Sequence, residues 1–145
     1  MRRVLPLIAV LLMGFAPIPF PKPDRRKSDL ESLQGRWKRV SSLMLGVEYG
    51  PPGGTTITIK GRHLHFPDPD DVFAITLNAK VIPKQFDYEG VTSKTKHVVF
   101  RCIYRLEGNT LTIHHFPFPA SEKRPTRFAG SHEPVMIQIF KRQKP

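Results

Sequence analysis

Six histidines give this chain its widest chemical reach. His63 and His65 are two apart in an alternating stretch, so on a strand they share a face. His114 and His115 are adjacent and point to opposite faces. A zinc site needs three or four ligands converging at about 2.0–2.3 Å. His63 and His65 with His97 or His115 supply that number only if their strands adjoin. The expectation is therefore solvated histidines on a polar strand face, and no metal site. His63 and His65 are weak candidates, and an enzyme or a metal- or haem-binding barrel is the remote alternative. Asp68-Pro69-Asp70-Asp71 offers oxygen donors but lacks the glycine and distal glutamate of a calcium loop, so it reads as a turn with aspartate caps. Ser131-His132-Glu133 has the residue types of a hydrolase. Neighbours in sequence rarely converge, and there is no Gly-x-Ser-x-Gly elbow, so this reads as a polar loop. No phosphate loop or dinucleotide fingerprint occurs, so no cofactor and no catalytic residue are assigned. Cys102, the one cysteine, lies in an alternating apolar run and reads as a buried small hydrophobe. One thiol allows no internal disulfide.

The elements that must position these groups are strands. Asp29 to Gln34 gives one helical turn, capped by Ser28 or Asp29 and ended by Gly35. Trp37 to Leu43 is a first strand, which Met44 to Tyr49 continues or returns. Gly50-Pro-Pro-Gly-Gly54 breaks the chain. Thr55 to Lys60, His63 to Phe66 and Val72 to Asn78 follow with period two. Pro83 confines Val81 to Tyr88 to an edge or irregular strand. Lys96 to Glu107 places Val98, Phe100, Cys102, Tyr104 and Leu106 on one face, with His97, Arg101 and Arg105 on the other. Gly108-Asn109 makes a two-residue hairpin turn into Thr110 to Phe116. Lys123 to Phe128 is a basic connection, and Val135 to Lys141 is the last strand. About eight short strands with hairpin-length loops call for a closed barrel or a sandwich.

The N-terminus points to export. Arg2 and Arg3 precede an apolar stretch from Val4 to Ala16, too short for a comfortable membrane span and suited to a secretory signal. Cleavage after Ala16 would leave Pro17 next to the cut, which signal peptidase handles poorly. The cut then lies elsewhere, or the segment stays as an uncleaved anchor. No cysteine lies nearby, which excludes a lipoprotein anchor. The expected division is residues 1–16 as signal or anchor, 17–28 as a proline-rich and basic linker, and 29–142 as one domain. The whole chain has 145 residues and a net charge of +11, of which three charges belong to residues 1–23. The domain itself is basic, which suits anionic polymers or lipid headgroups. Nucleic acid is not expected, because no recognition motif for it is present.

Four ordered stretches carry a resemblance. Asp29-Leu-Glu-Ser-Leu-Gln-Gly-Arg-Trp-Lys38, Val81-Ile-Pro-Lys-Gln-Phe-Asp87, Ile103-Tyr-Arg-Leu-Glu-Gly-Asn-Thr-Leu-Thr-Ile113 and Lys123-Arg-Pro-Thr-Arg-Phe128 resemble a family of small exported lipocalin-like domains. That family is expanded in planctomycete bacteria and has no assigned function. The resemblance covers about residues 29–142. The chain departs from it at His114, where members often carry a cysteine, and at Cys102, where they often carry glycine. The resemblance implies an all-β fold, a lipocalin-like antiparallel barrel of about eight strands with a short N-terminal helical turn. It also implies that Gly35 and Trp37 plug one end, with Arg142 over the indole, or Lys141 if the register slips. Such a cation over an aromatic face contributes about 1–2 kcal/mol when partly desolvated.

Two functions follow as expectations. The first is an exported, non-enzymatic module holding a small apolar or amphipathic ligand inside the barrel. Ile57, Ile59, Phe73, Ile75, Phe100 and Tyr104 would line it, although a barrel of this size is equally well filled by its own side chains. The second is an envelope domain binding anionic polymers or lipid headgroups through its basic surface. Membrane contact otherwise comes only through an uncleaved N-terminal segment.

Overall fold

The computed structural model of the chain describes residues 27–117 and 123–144. The expected signal segment and all but the last two residues of the expected linker lie outside the described residues.

Helix α1 (Asp29–Leu33) is one turn held by a reciprocal cap. The Ser28 hydroxyl accepts from the Glu31 amide, and the Glu31 carboxylate accepts from the Ser28 amide. So short a helix is not stable alone. Leu33 anchors it in the core, and the Gln34 side-chain amide bonds both backbone groups of Gly61. At Gly35 φ is +113°, a conformation that L side chains rarely adopt, and there the chain turns into the first strand.

Nine strands follow: β1 (Gly35–Met44), β2 (Val47–Glu48), β3 (Thr56–Lys60), β4 (His63–His65), β5 (Val72–Asn78), β6 (Lys84–Gly90), β7 (Val99–Glu107), β8 (Thr110–His115) and β9 (Met136–Arg142). Apart from β2, each pairs antiparallel with the next, and β9 pairs back onto β1. Eight strands thus close into a barrel, and no edge of the eight-strand sheet is left along its full length. β1 leaves β3 at Lys38, bulges between Arg39 and Ser41, and takes up β2 at Leu43. Strand β7 starts three residues later than the alternation predicts. The Val98 amide closes a turn onto the Thr95 carbonyl, and His97 has φ +73°. Strand β6 begins just after Pro83 and pairs regularly with both β5 and β7, so it is not the edge or irregular strand expected; the proline sits outside the ladder and removes no bond from it.

The interior is filled by rings and branched chains. From one side of the upper half to the other run Phe66, Phe73, Tyr88, Phe100 and His115, each with its ring centroid 4.7–5.6 Å from the next. Phe86 joins Tyr88 to Tyr104 at 6.0 Å on either side. Cys102 is wholly buried among them. Burial pushes its thiol up, and the nearby Asp87 carboxylate adds to this, so the sulfur stays a neutral packing group.

Outward positions of β7 and β8 are not all wet. Ile103 and His114 alternate outward yet are almost fully buried, because residues 123–135 cross over them. Asp87 fastens this crossover. Arg124 gives it two N–H groups, at 2.5 and 2.8 Å, and also donates to the Cys102 carbonyl at 2.8 Å. Arg101, directly opposite on β7, donates from the other side at 2.8 Å. Burial pushes the Asp87 carboxyl up, but the bonds from Arg124 and Arg101 outweigh it and hold the group below the usual carboxylate value. Arg124→Ala should therefore cost about 2–3 kcal/mol, since it strands a half-buried carboxylate and frees the crossover. Urea unfolding measures this. A change within error would mean that the crossover is held by its apolar contacts alone.

Candidate functional site

Trp37 is fully buried at the end of the barrel covered by α1, and its indole N–H donates to the Leu33 carbonyl at 2.8 Å. The Arg142 guanidinium lies 4.2 Å from the ring centroid. Arg142 also donates to the Gln34 carbonyl at 2.7 Å and to the Ser32 carbonyl. One cation thus satisfies the carbonyls at the C-terminal end of α1 and covers the indole. Register places Arg142, not Lys141, opposite Trp37; Lys141 points outward to Thr110.

The six residues expected to line a ligand chamber pack on one another. Ile57, Ile59, Phe73, Ile75 and Tyr104 belong to one buried cluster, and Phe100 packs against it. Of the six, Tyr104 also borders a surface groove that opens outward. Its hydroxyl donates to Asp29 at 2.5 Å; Asp29 also pairs with Lys84 at 2.8 Å.

The histidines divide into two groups. His63 and His65 share a face of β4 with ring centroids 6.3 Å apart. No cluster of three or more His, Cys, Asp or Glu among the described residues is placed to hold a metal. His114 and His115 correct the expectation of solvated rings, because both are buried. His114 faces outward beneath the crossover, accepts the Ala129 N–H at 3.1 Å and meets Phe128 edge-on at 5.0 Å. Burial, with Arg105 and His115 nearby, pushes it down to about 4, against a smaller pull from Glu133. His115 faces inward. Its Nδ1 bonds the Phe116 carbonyl at 2.7 Å, so Nδ1 carries the proton. Burial pushes this ring down as well, and its Nε2 has no partner among the described residues. The adjacent pair was visible in the sequence, but its burial was not, because nothing local marks the crossover that covers it.

The other motifs are occupied by neighbours. Asp68 caps the Asp70 amide, and Lys94 pairs with Asp68 at 2.6 Å and Asp71 at 3.1 Å, filling the place a cation would take. Glu133 is committed to Arg127 through two bonds of 2.9 and 2.7 Å, so Ser131-His132-Glu133 forms no relay.

What remains is the outer wall. Strands β1, β3, β4 and β9 contain no Asp or Glu. Their inward positions are taken by Trp37, Ile57, Ile59, Leu64 and Phe140. Their exposed positions carry Arg36, Lys38, Lys60, Lys141 and His63. Lys38 stands directly opposite Lys141, a like-charge pair that costs energy in the free protein. Beyond Lys38 the wall turns largely apolar, apart from the exposed Glu48, whose carboxylate accepts from the Ser41 hydroxyl and the Ser42 amide. Val40, Leu45, Val47 and Tyr49 are all large, hydrophobic and exposed, and all lie on the β1–β2 hairpin or just after it. A cleft of about 490 Å³ joins the two surfaces, with Lys38, Val40 and Tyr49 on its lining and residues 50–54 folded over it. At Gly54 (φ +75°) a Cβ would sit 1.9 Å from the Arg39 carbonyl oxygen, so glycine is what lets this loop press onto β1. The hairpin tip is fixed too: the Gly46 amide donates to the Ser131 carbonyl at 2.6 Å.

The fold and wall together define a closed eight-stranded antiparallel β-barrel with a filled interior and a basic, partly apolar exterior. Comparison with family models, with curated proteins and with solved structures yields no match for this chain.

Proposed function

We propose that this domain is an exported, non-enzymatic docking module that attaches to anionic lipid surfaces through its outer wall. One observation carries the reading: the exposed apolar hairpin is continuous, along β1, with a row of cations on strands that contain no acid. Each lysine or arginine near an anionic leaflet contributes about 1 kcal/mol. Apolar side chains seated at the headgroup boundary add a term that salt does not screen. Headgroup phosphates would also relieve the Lys38–Lys141 repulsion. The resemblance of the four sequence stretches to exported domains supports the compartment. The outer wall takes precedence over the interior because aromatic rings fill the space that an enclosed ligand requires. No helix among the described residues is long and apolar enough to cross a membrane.

Co-sedimentation with phosphatidylglycerol vesicles tests this. Binding should fall by roughly tenfold between about 50 and about 500 mM salt, and Lys38→Glu with Lys141→Glu should reduce it similarly. Leu45→Ser with Val47→Ser should abolish vesicle binding yet leave binding to dextran sulfate intact. Vesicle binding that survives the serine pair would show that the hairpin does not seat in the headgroups and would end the reading of a joint apolar and cationic dock.

A further inference from the structure

We infer that a second surface, the groove between β7 and the crossover, binds a small amphipathic monoanion, with its acidic head on Arg105 and its apolar body along Ile82, Leu106 and Phe128. The groove exists because of strand register. Strand β6 begins at Lys84, opposite Tyr104, so Arg105 to Glu107 of β7 run on without a neighbour on that side. The crossover residues Thr126, Arg127 and Phe128 form the other bank. The space between is about 660 Å³, within the range of pockets that hold drug-sized ligands.

Its lining is apolar where a hydrocarbon or ring would lie. Ile82 is 99% exposed at the rim, beside Pro83, and Leu106 lies on the floor. Covering an isoleucine from full exposure favours binding by removing apolar surface from water. Phe128 is not a loose flap. It is held between the Arg105 guanidinium, 4.2 Å from its centroid, and the edge-on His114 ring. A preset wall lowers the ordering cost of binding.

Charge selects the ligand. Three cations border the groove, and two are already committed: Lys84 to Asp29, and Arg127 to Glu133. Arg105 lies over the Phe128 ring and has no carboxylate partner among the described residues. Among the described cations that border the groove, its guanidinium is therefore the one without a carboxylate, which fits one carboxylate and not a multiply charged headgroup. The groove lies on the β6–β7 side, away from the β1–β9 wall, so it stands independently of the lipid-docking reading.

Calorimetric titration of the full chain with decanoate, with 1-decanol and butyrate as controls, decides it. Decanoate should bind and both controls should bind at least tenfold more weakly, roughly the factor that a charge-assisted bond or a buried alkyl chain supplies. Arg105→Gln should bring decanoate down to the level of decanol. Ile82→Asp, at a fully exposed position, should weaken decanoate also. Lys38→Glu with Lys141→Glu should leave it unchanged. Equal binding of decanoate and decanol, an Arg105→Gln variant with wild-type affinity, or no heat with decanoate would each overturn the proposal. So would a dimer that Ile82→Asp dissociates in the absence of decanoate binding, which would make the groove a contact between copies.

Discussion

Trp37→Ala lowers the stability of the barrel by about 4 kcal/mol and its melting temperature by about 15 °C or more. Three losses add at one position. The indole is fully buried, so truncation leaves a cavity beneath α1. The Leu33 carbonyl loses its 2.8 Å donor, and Arg142 loses the face it covers. Trp37→Phe separates these terms. It keeps most of the ring and loses the N–H, so it should cost only about 1–2 kcal/mol. Thermal unfolding of both variants is the check. An alanine variant that melts with the wild type would mean that Trp37 does not hold this end of the barrel.

Acid should weaken the domain in two stages, and the first belongs to His114. Its folded value, about 4, lies below its ordinary value of 6.5. The unfolded chain therefore binds the proton more readily, and stability falls as pH drops from 6.5 towards 4. The full gap corresponds to about 3 kcal/mol. Asp87, whose folded value is also depressed, contributes stability that is present above the ordinary carboxylate value and lost as pH falls through its folded one. Urea midpoints should therefore decline from pH 6.5 downward. His114→Gln keeps an acceptor for the Ala129 amide, carries no titrating group, and should make the stage between 6.5 and 4 shallower, with the buried His115 supplying what remains. A wild-type midpoint that is flat down to pH 4 would show that His114 is solvated when the crossover breathes.

Much of the barrel was legible because its strands alternate. Phe100, Cys102, Tyr104 and Leu106 share a face in the sequence, and the same residues lie in or against the core. Glycine and proline marked the turns at 50–54, 61 and 108, since φ there is positive or no N–H is available. The candidate surfaces were less legible, for a reason that can be placed. Residues 123–128 read as a basic connection, and nothing local says that Arg124 will meet Asp87, 37 residues earlier. Without that contact, Ile103 and His114 look like ordinary outward positions and the groove over Arg105 has no second bank. The apolar hairpin escaped for a different reason. Alternation assigns Val40 and Val47 to a face, but the β1 bulge and the loss of β3 beyond Lys38 decide that this face is open.

Closure of the barrel by β1 and β9 has a kinetic consequence. The remaining pairings of the eight-strand sheet join elements close together in the chain, so they can form early and at small entropic cost. The last pairing must wait for residues 136–142. Until they arrive, β1 and β8 are bare edges, and Trp37 lacks both its cation and the strand that seats it. A chain that emerges N-terminus first thus stays an open, pairing-prone ribbon through nearly all of its synthesis, and gains its core in one late step. Arg142 then acts as a latch, since the residue that completes the sheet is also the one that locks the plug.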